Sequence, residues 1–336
     1  MSANTLRVAV ISFAHVHSEA YIANLRANAD VNFVGVLELN PALRRHAPAA
    51  PNGNPAAPGA PSVPIFTTYD ELFSENIDAA IVCSENSRHP EDIAILASRG
   101  IHLLCEKPLA VRAADAANMV ECCRRAGVIL MTAFPMRFSA PLQTARRQLR
   151  AGNYGRLSSA IGVNQGQLPK RHRSWFVDPE LAGGGAIIDH TAHLADIMRW
   201  YTGAEVETVY AIANHILHDE PVETGGLVSL HFSNGIDLSI DCSWSRPDNY
   251  PTWGGLSLRL ITDRGAVDID AFIQNNEIFG LPDQHTRWDY WGADANQSMI
   301  NEFVSAVRKA RKPAVSGIDG LRAAEICDAA YRSIAT

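Results

Sequence analysis

The sequence predicts an α/β protein in two parts: a parallel sheet covered by helices, followed by a domain on an open, mostly antiparallel sheet. Three observations carry this expectation. Short β-branched runs alternate with helical periods up to about residue 135. Strand patterns broken by tight turns dominate after about residue 200. The 336 residues, at roughly 100–200 per domain, leave room for two. The expected division is 1–135 and 136–336, with the last helix able to pack back on the first part.

Leu6–Ile11 is short, apolar and free of alternation, the pattern of a strand buried on both faces. Residues 18–28 place Tyr21, Ile22 and Leu25 on one helical face, and Val31–Leu37 reads as a second strand. Together they make a βαβ unit, whose crossover should be right-handed. Residues 46–64, rich in Pro, Ala and Gly, read as a surface insertion without periodicity. The alternation then resumes: strand at 78–83, helix at 90–98, strand at 101–104, helix at Ala113–Ala126, strand at 128–132.

In the second part, helices are expected at 141–151 and 186–201, then strands at 206–216, 226–232, 236–244, 256–262 and 266–269. Ser233-Asn-Gly235 and Asp263-Arg-Gly265 supply hairpin turns between apolar runs. Two amphipathic helices near 296–311 and 318–333 follow.

Composition narrows the function. A net charge of −7 without a long basic run argues against nucleic acid. Six cysteines, at 83, 105, 122, 123, 242 and 327, form no C-x-x-C and read as reduced thiols. No apolar stretch approaches the ~20 residues of a membrane span, so a cytoplasmic protein with no membrane partner is expected.

After the first strand, a dinucleotide-binding turn would carry G-x-G-x-x-G; this chain has Ser12, Phe13, Ala14, His15, Val16 and His17. Ser12 and Ala14 are small enough for much of the glycines' work, and the following helix N-terminus still offers free N–H groups to a phosphate. Glu38 ends the second strand 21 residues after His17, near the ~20 expected for a carboxylate on a ribose 2′-hydroxyl. A carboxylate there disfavours a 2′-phosphate, so NAD is expected over NADP. His15-Val-His17 also has the look of a metal pair, but no third ligand lies nearby in sequence and no metal is assigned.

Two further motifs sharpen the reading. Glu106-Lys107-Pro108 ends a buried strand, where parallel sheets bind ligands. Gly183-Gly-Gly185 leads into a helix with Asp189, His193 and Asp196 at i, i+4 and i+7 on one face. Asp189, one turn before His193, can hold its tautomer as a general base requires; a structural pair is the plainer alternative.

These motifs resemble the glucose–fructose oxidoreductase / inositol dehydrogenase (Gfo/Idh/MocA) family. The resemblance also rests on Val82-Cys-Ser-Glu-Asn-Ser-Arg-His89, on Met136-Arg-Phe138, and on Trp175 ahead of Asp178-Pro-Glu-Leu-Ala-Gly-Gly-Gly185. It implies an N-terminal Rossmann domain and a C-terminal domain whose open sheet forms homodimers or homotetramers. It also implies an oxidoreductase acting on a secondary hydroxyl of a sugar or polyol. Lys107, Asp189 and His193 would be catalytic. Ser84, Glu85, Asn86, His89 and Glu106, with Lys107, the 12–17 turn and Glu38, would meet the cofactor. Substrate contacts are expected from Arg137, Asn164, His172, Arg173, Trp175 and His193. The altered turn leaves a catalytically inactive sugar-binding protein as the alternative.

Overall fold

The computed structural model describes residues 5–48, 63–278 and 287–336. Most of the Pro-rich stretch expected as an insertion therefore lies outside the described residues.

The first part runs β1 (Leu6–Ile11), α1 (His17–Arg26), β2 (Val31–Leu37), β3 (Ile65–Phe66), α2 (Tyr69–Ser74), β4 (Ala79–Val82), α3 (His89–Ser98), β5 (His102–Cys105), α4 (Ala113–Ala126) and β6 (Leu130–Thr132). Its sheet has the order β3-β2-β1-β4-β5-β6, and every pair is parallel. The order reverses between β1 and β4. That is the switch point where open parallel sheets leave a crevice at their carboxyl ends. All four residues of β4 are buried, which explains a continuous apolar run instead of alternation.

The second part adds α5 (Ala140–Arg150), β7 (Leu157–Gly166), α6 (Pro179–Ala182), α7 (Ala186–Thr202), β8 (Val206–Asn214), β9 (Gly225–Phe232), β10 (Asp237–Ser243), β11 (Gly254–Thr262) and β12 (Gly265–Asp270). A short hairpin, β13 (Asn275–Ile278) and β14 (Arg287–Tyr290), precedes α8 (Ala295–Arg308) and α9 (Gly317–Ile334). The larger sheet is ordered β12-β11-β7-β10-β9-β8; β7 and β10 are its parallel pair and the rest are antiparallel. Sequence reading did not anticipate β7, because its Ser158, Ser159, Asn164 and Gln165 mask the alternation. It is nevertheless central to this sheet.

One face of that sheet buries Ala160, Val228, Leu230, Leu238, Ile240, Leu258 and Leu260 in a core shared with Leu194 and Met198 of α7. The opposite face exposes Ile161, Tyr210, Ile212, Leu227 and Ile261. Helix α9 joins the two halves. Ala323 and Cys327 enter the core around β1, Ala324 the core around β5, and Ile326 and Ala330 the core of the second sheet.

Candidate active site

Beyond β5 the chain turns through Glu106 and Lys107, and the Lys107–Pro108 peptide is cis. Lys107 Nζ reaches across to α7, donating to Asp189 Oδ1 at 2.5 Å and to the Asp189 carbonyl oxygen at 3.1 Å. Both residues are buried. The three glycines before α7 permit the close-packed entry into that helix. Gly183 has φ +82°, a Cβ on Gly184 would strike the Tyr331 hydroxyl, and one on Gly185 would strike the Glu223 carbonyl.

Asp189 does not pair with His193 as expected. Its second oxygen lies 3.2 Å from Trp244 Nε1, which donates to it, and 3.2 Å from His190 Nε2. On a helix the residue one turn along points the same way, but the adjacent imidazole and the incoming lysine take the carboxylate first. His193 Nδ1 is buried and lacks a hydrogen-bond partner among the described residues, with the ring edge-on to Phe134 at 6.1 Å between centroids.

Burial and then the Lys107 ammonium push the His193 imidazole well below its ordinary value, so it is neutral at pH 7. Burial alone would raise Asp189, yet Lys107 and His190 outweigh it and hold this carboxyl well below the usual range. Glu106, fully buried, accepts from Tyr21 Oη at 2.6 Å and from the Lys107 N–H at 3.0 Å, and its Oε1 lies 2.9 Å from His17 Nδ1. Burial would raise it too. The imidazoles of His15 and His17, and the bonds from His17 and Tyr21, hold it well below.

His17, Lys107, Asn164, Asp189, His190 and His193 line a cavity of about 240 Å³ between the two sheets. Asn164 donates to the Gly255 carbonyl at 2.7 Å, while its Oδ1 is buried without a partner among the described residues. The cavity adjoins one of about 670 Å³, with Met136, Trp253, Gly254, Phe272 and Asn296 common to both. Together they fall in the roughly 300–1,000 Å³ of small-molecule sites. Sequence reasoning missed Trp253 and Phe272; the only local signal was Trp253-Gly-Gly255 at the start of β11.

Other expected contacts are spent elsewhere. Arg137 forks onto Asp196 at 2.6 and 2.5 Å and reaches Asp319 at 2.8 Å, so it ties the 135–138 turn to α7 and α9 and is not free for substrate. Arg173 donates to the Phe13 carbonyl at 3.0 Å and to Glu19 at 2.5 Å. Trp175 donates to the Ala14 carbonyl at 2.8 Å and stacks on Phe176, so it clasps the β1–α1 turn and offers no open face to a sugar. His172 is exposed, beside Trp253 and outside the cavity lining. His89 faces the Pro108 and Leu109 carbonyls at 3.2 Å and that of Ser84 at 3.1 Å, pinning the lysine segment instead of lying open to a cofactor. Ser84 donates to Asp92 at 2.5 Å.

The β1–α1 turn begins with Ser12 at φ +69°, where a glycine would be usual. Glu38 Oε2 compensates by accepting from the Ser12 hydroxyl at 2.9 Å and from the Phe13 N–H at 2.7 Å. Phe13 is buried in the core, Ala14 and Val16 pack with Trp175 and Phe176, and the His15 N–H bonds the Cys83 carbonyl.

Comparison with known proteins places this geometry. The family described as "Oxidoreductase family, NAD-binding Rossmann fold" matches residues 6–134, and the GFO/IDH/MocA C-terminal domain matches 142–268. The chain belongs to the Gfo/Idh/MocA oxidoreductase family. Among its relatives is myo-inositol 2-dehydrogenase of Thermotoga maritima, 28% identical over 79% of this chain and 80% of the relative. Another is D-xylose 1-dehydrogenase (NADP(+)) 2 of Haloferax volcanii, 25% identical over 81% and 82%. 1,5-Anhydro-D-fructose reductase of Ensifer adhaerens is 33% identical, over about half of each chain (51% and 52%). The structure of GenD2 from gentamicin A biosynthesis, in complex with NAD, superposes with a TM-score of 0.85 at 22% identity, covering 100% of this chain and 95% of that one. At that identity the likeness establishes the fold.

The residues at the sheet's carboxyl edge fit the family's dinucleotide. Ser18 Oγ at the α1 N-terminus, Asn86 Oδ1 after β4 and His193 Nδ1 are buried without partners among the described residues, as polar atoms awaiting a ligand are. Glu38 keeps lone pairs beyond those used by Ser12, Phe13 and the Asn40 N–H.

Proposed function

We propose that this protein is an NAD-dependent dehydrogenase, with NADP disfavoured by Glu38. Its substrate is a sugar or polyol whose secondary hydroxyl lies between Lys107 and His193. The observation that carries the reading is the buried Lys107–Asp189 pair facing a cavity beside an imidazole with an unspent nitrogen. The relatives named for inositol, xylose and anhydrofructose support the substrate class. Ser18, Glu38 and Asn86 would hold the dinucleotide, which when bound supplies the hydride acceptor or donor.

In the oxidising direction neutral His193 takes the hydroxyl proton. Lys107, held by Asp189, donates to the same oxygen and stabilises the alkoxide charge as it develops. Asn164 and Trp253 position the ring, and the apolar extension past Phe272 accommodates a further substituent. Asp189 positions Lys107, a role that replaces the expected one of orienting His193. We place the domain division at residues 135 and 136, and assign a cytoplasmic homodimer or homotetramer, supported by the apolar open face of the second sheet.

Titration with NADH and NADPH by thermal shift tests the first step, since ligand at 100 times Kd adds about 2.7 kcal/mol to stability. A panel of polyols and sugars followed at the nicotinamide absorbance tests the second. No shift with either nucleotide, or no turnover across the panel, refutes the reading.

A further inference from the structure

The dinucleotide turn contributes two histidines where phosphate-binding turns have none, and the reading above uses neither. His15 and His17 sit in the turn and at the first position of α1; Glu106 lies beyond β5, 89 residues later than His17. Folding brings the three together, with donor atoms within 4.8 Å of one another. His17 Nδ1 is 2.9 Å and His15 Nδ1 3.6 Å from Glu106 Oε1, and the two rings are 4.5 Å apart. Ligands about 2.1 Å from a tetrahedral ion are spaced about 3.4 Å apart, so these separations bracket what an ion needs.

We propose that His15, His17 and Glu106 bind a divalent transition-metal ion, with its remaining position open to the cavity. Two imidazoles and one carboxylate with an open position are the donor set of catalytic zinc and of non-haem iron(II) sites. Glu106 is fully buried and His15 nearly so, while His17 is half-buried and lines the cavity, which fixes the open side.

Two features support the assignment. Tyr21 Oη donates to Glu106 Oε1 at 2.6 Å and so holds the carboxylate in place, as partners of metal-binding carboxylates do. The buried charges that meet here are two carboxylates, Glu106 and Asp189, against one ammonium, Lys107. An ion balances the remaining negative charge. The ion would displace two contacts, the 2.9 Å hydrogen bond between His17 Nδ1 and Glu106 Oε1 and the 3.2 Å bond from the His17 N–H to His15 Nδ1.

The test is equilibrium dialysis of tag-free, chelator-stripped protein against zinc, with metal analysis. Zinc should bind at one ion per chain. His17→Ala and Glu106→Gln should each weaken it by more than the roughly 10–100-fold that loss of an orienting partner costs, and Tyr21→Phe by about that amount. Should the variants fail to fold, X-ray absorption on the wild-type zinc form decides, because two imidazole ligands are required. No stoichiometric zinc, a spectrum without imidazole, or affinity unchanged in folded His17→Ala overturns the proposal. The result is independent of hydride transfer. Zinc bound at this site without NAD turnover would refute the dehydrogenase reading alone, and turnover without zinc the metal site alone.

Discussion

Helix α7 holds two buried ion pairs seven residues apart, and they serve opposite ends. At Asp189 a lysine arrives with one 2.5 Å contact to the carboxylate, and the surroundings are unfinished: among the described residues His193 Nδ1 and Asn164 Oδ1 lack partners, and both residues line a cavity. At Asp196 an arginine arrives with two prongs at 2.5 and 2.6 Å, and Asp319 takes the same guanidinium at 2.8 Å. Burial depth does not separate the two pairs, since all four residues are below a tenth exposed. What separates them is what the unpartnered atoms face: at the first pair they belong to residues that line a cavity, while at the second the one such atom among the described residues, Arg199 Nη1, lies 3.6 Å from the Asp319 carboxylate. A pair enclosed by further charges holds helices together; one beside a cavity is arranged for a ligand.

Breaking the first pair should change rate more than stability. Lys107→Ala is expected to lower kcat by about 10²–10⁴-fold while the NADH-induced thermal shift persists. A variant retaining full turnover would place both pairs in the structural class. Breaking the second should do the reverse: Arg137→Ala is expected to cost about 3–5 kcal/mol in denaturant unfolding, because Asp196 is left buried and unpaired. Arg137→Lys keeps the charge but loses the fork, so a smaller loss of about 1.5–3 kcal/mol is expected, one charge-assisted hydrogen bond.

Acid sharpens the contrast further. His15 and His193 titrate below the ordinary 6.5 in the folded chain, through burial first in both cases. The unfolded chain therefore binds the additional protons as pH falls past 6.5. Stability is full above that value and should decline below it by about 1.4 kcal/mol per pH unit for each imidazole. Glu106 and Asp189, held low in the fold, add losses of the same sign only below their unfolded values of 4.5 and 3.8. Urea midpoints between pH 8 and 5 measure the histidine part. A flat profile would show these imidazoles charged in the native state, and the His193 proton-acceptor role would fail with it.

The first sheet was legible because continuous apolar runs such as Val8–Ile11 and Ala79–Val82 leave little choice but a doubly covered parallel sheet. The hairpin strands of the second were legible from Asn234-Gly235 and Arg264-Gly265. Strand β7 was not, since its outward face carries serines and its inward face a glycine beneath Leu194. At the site, the motifs of Lys107, Asp189 and His193 meet at one cavity, and Asn164 reaches it from the strand that was not anticipated. The failures at Arg137, Arg173 and Trp175 share one cause: sequence shows a donor but not the acceptor that consumes it, and each acceptor lies 59–161 residues away. The third member of the His15–His17–Glu106 cluster was hidden by the same distance.

Helix α9 sends residues into three separate hydrophobic cores. Neither half of the molecule has a finished interior until residues 317–334 dock. During synthesis on the ribosome, the earlier segments must therefore wait, partly exposed, until α9 has emerged before either half can close.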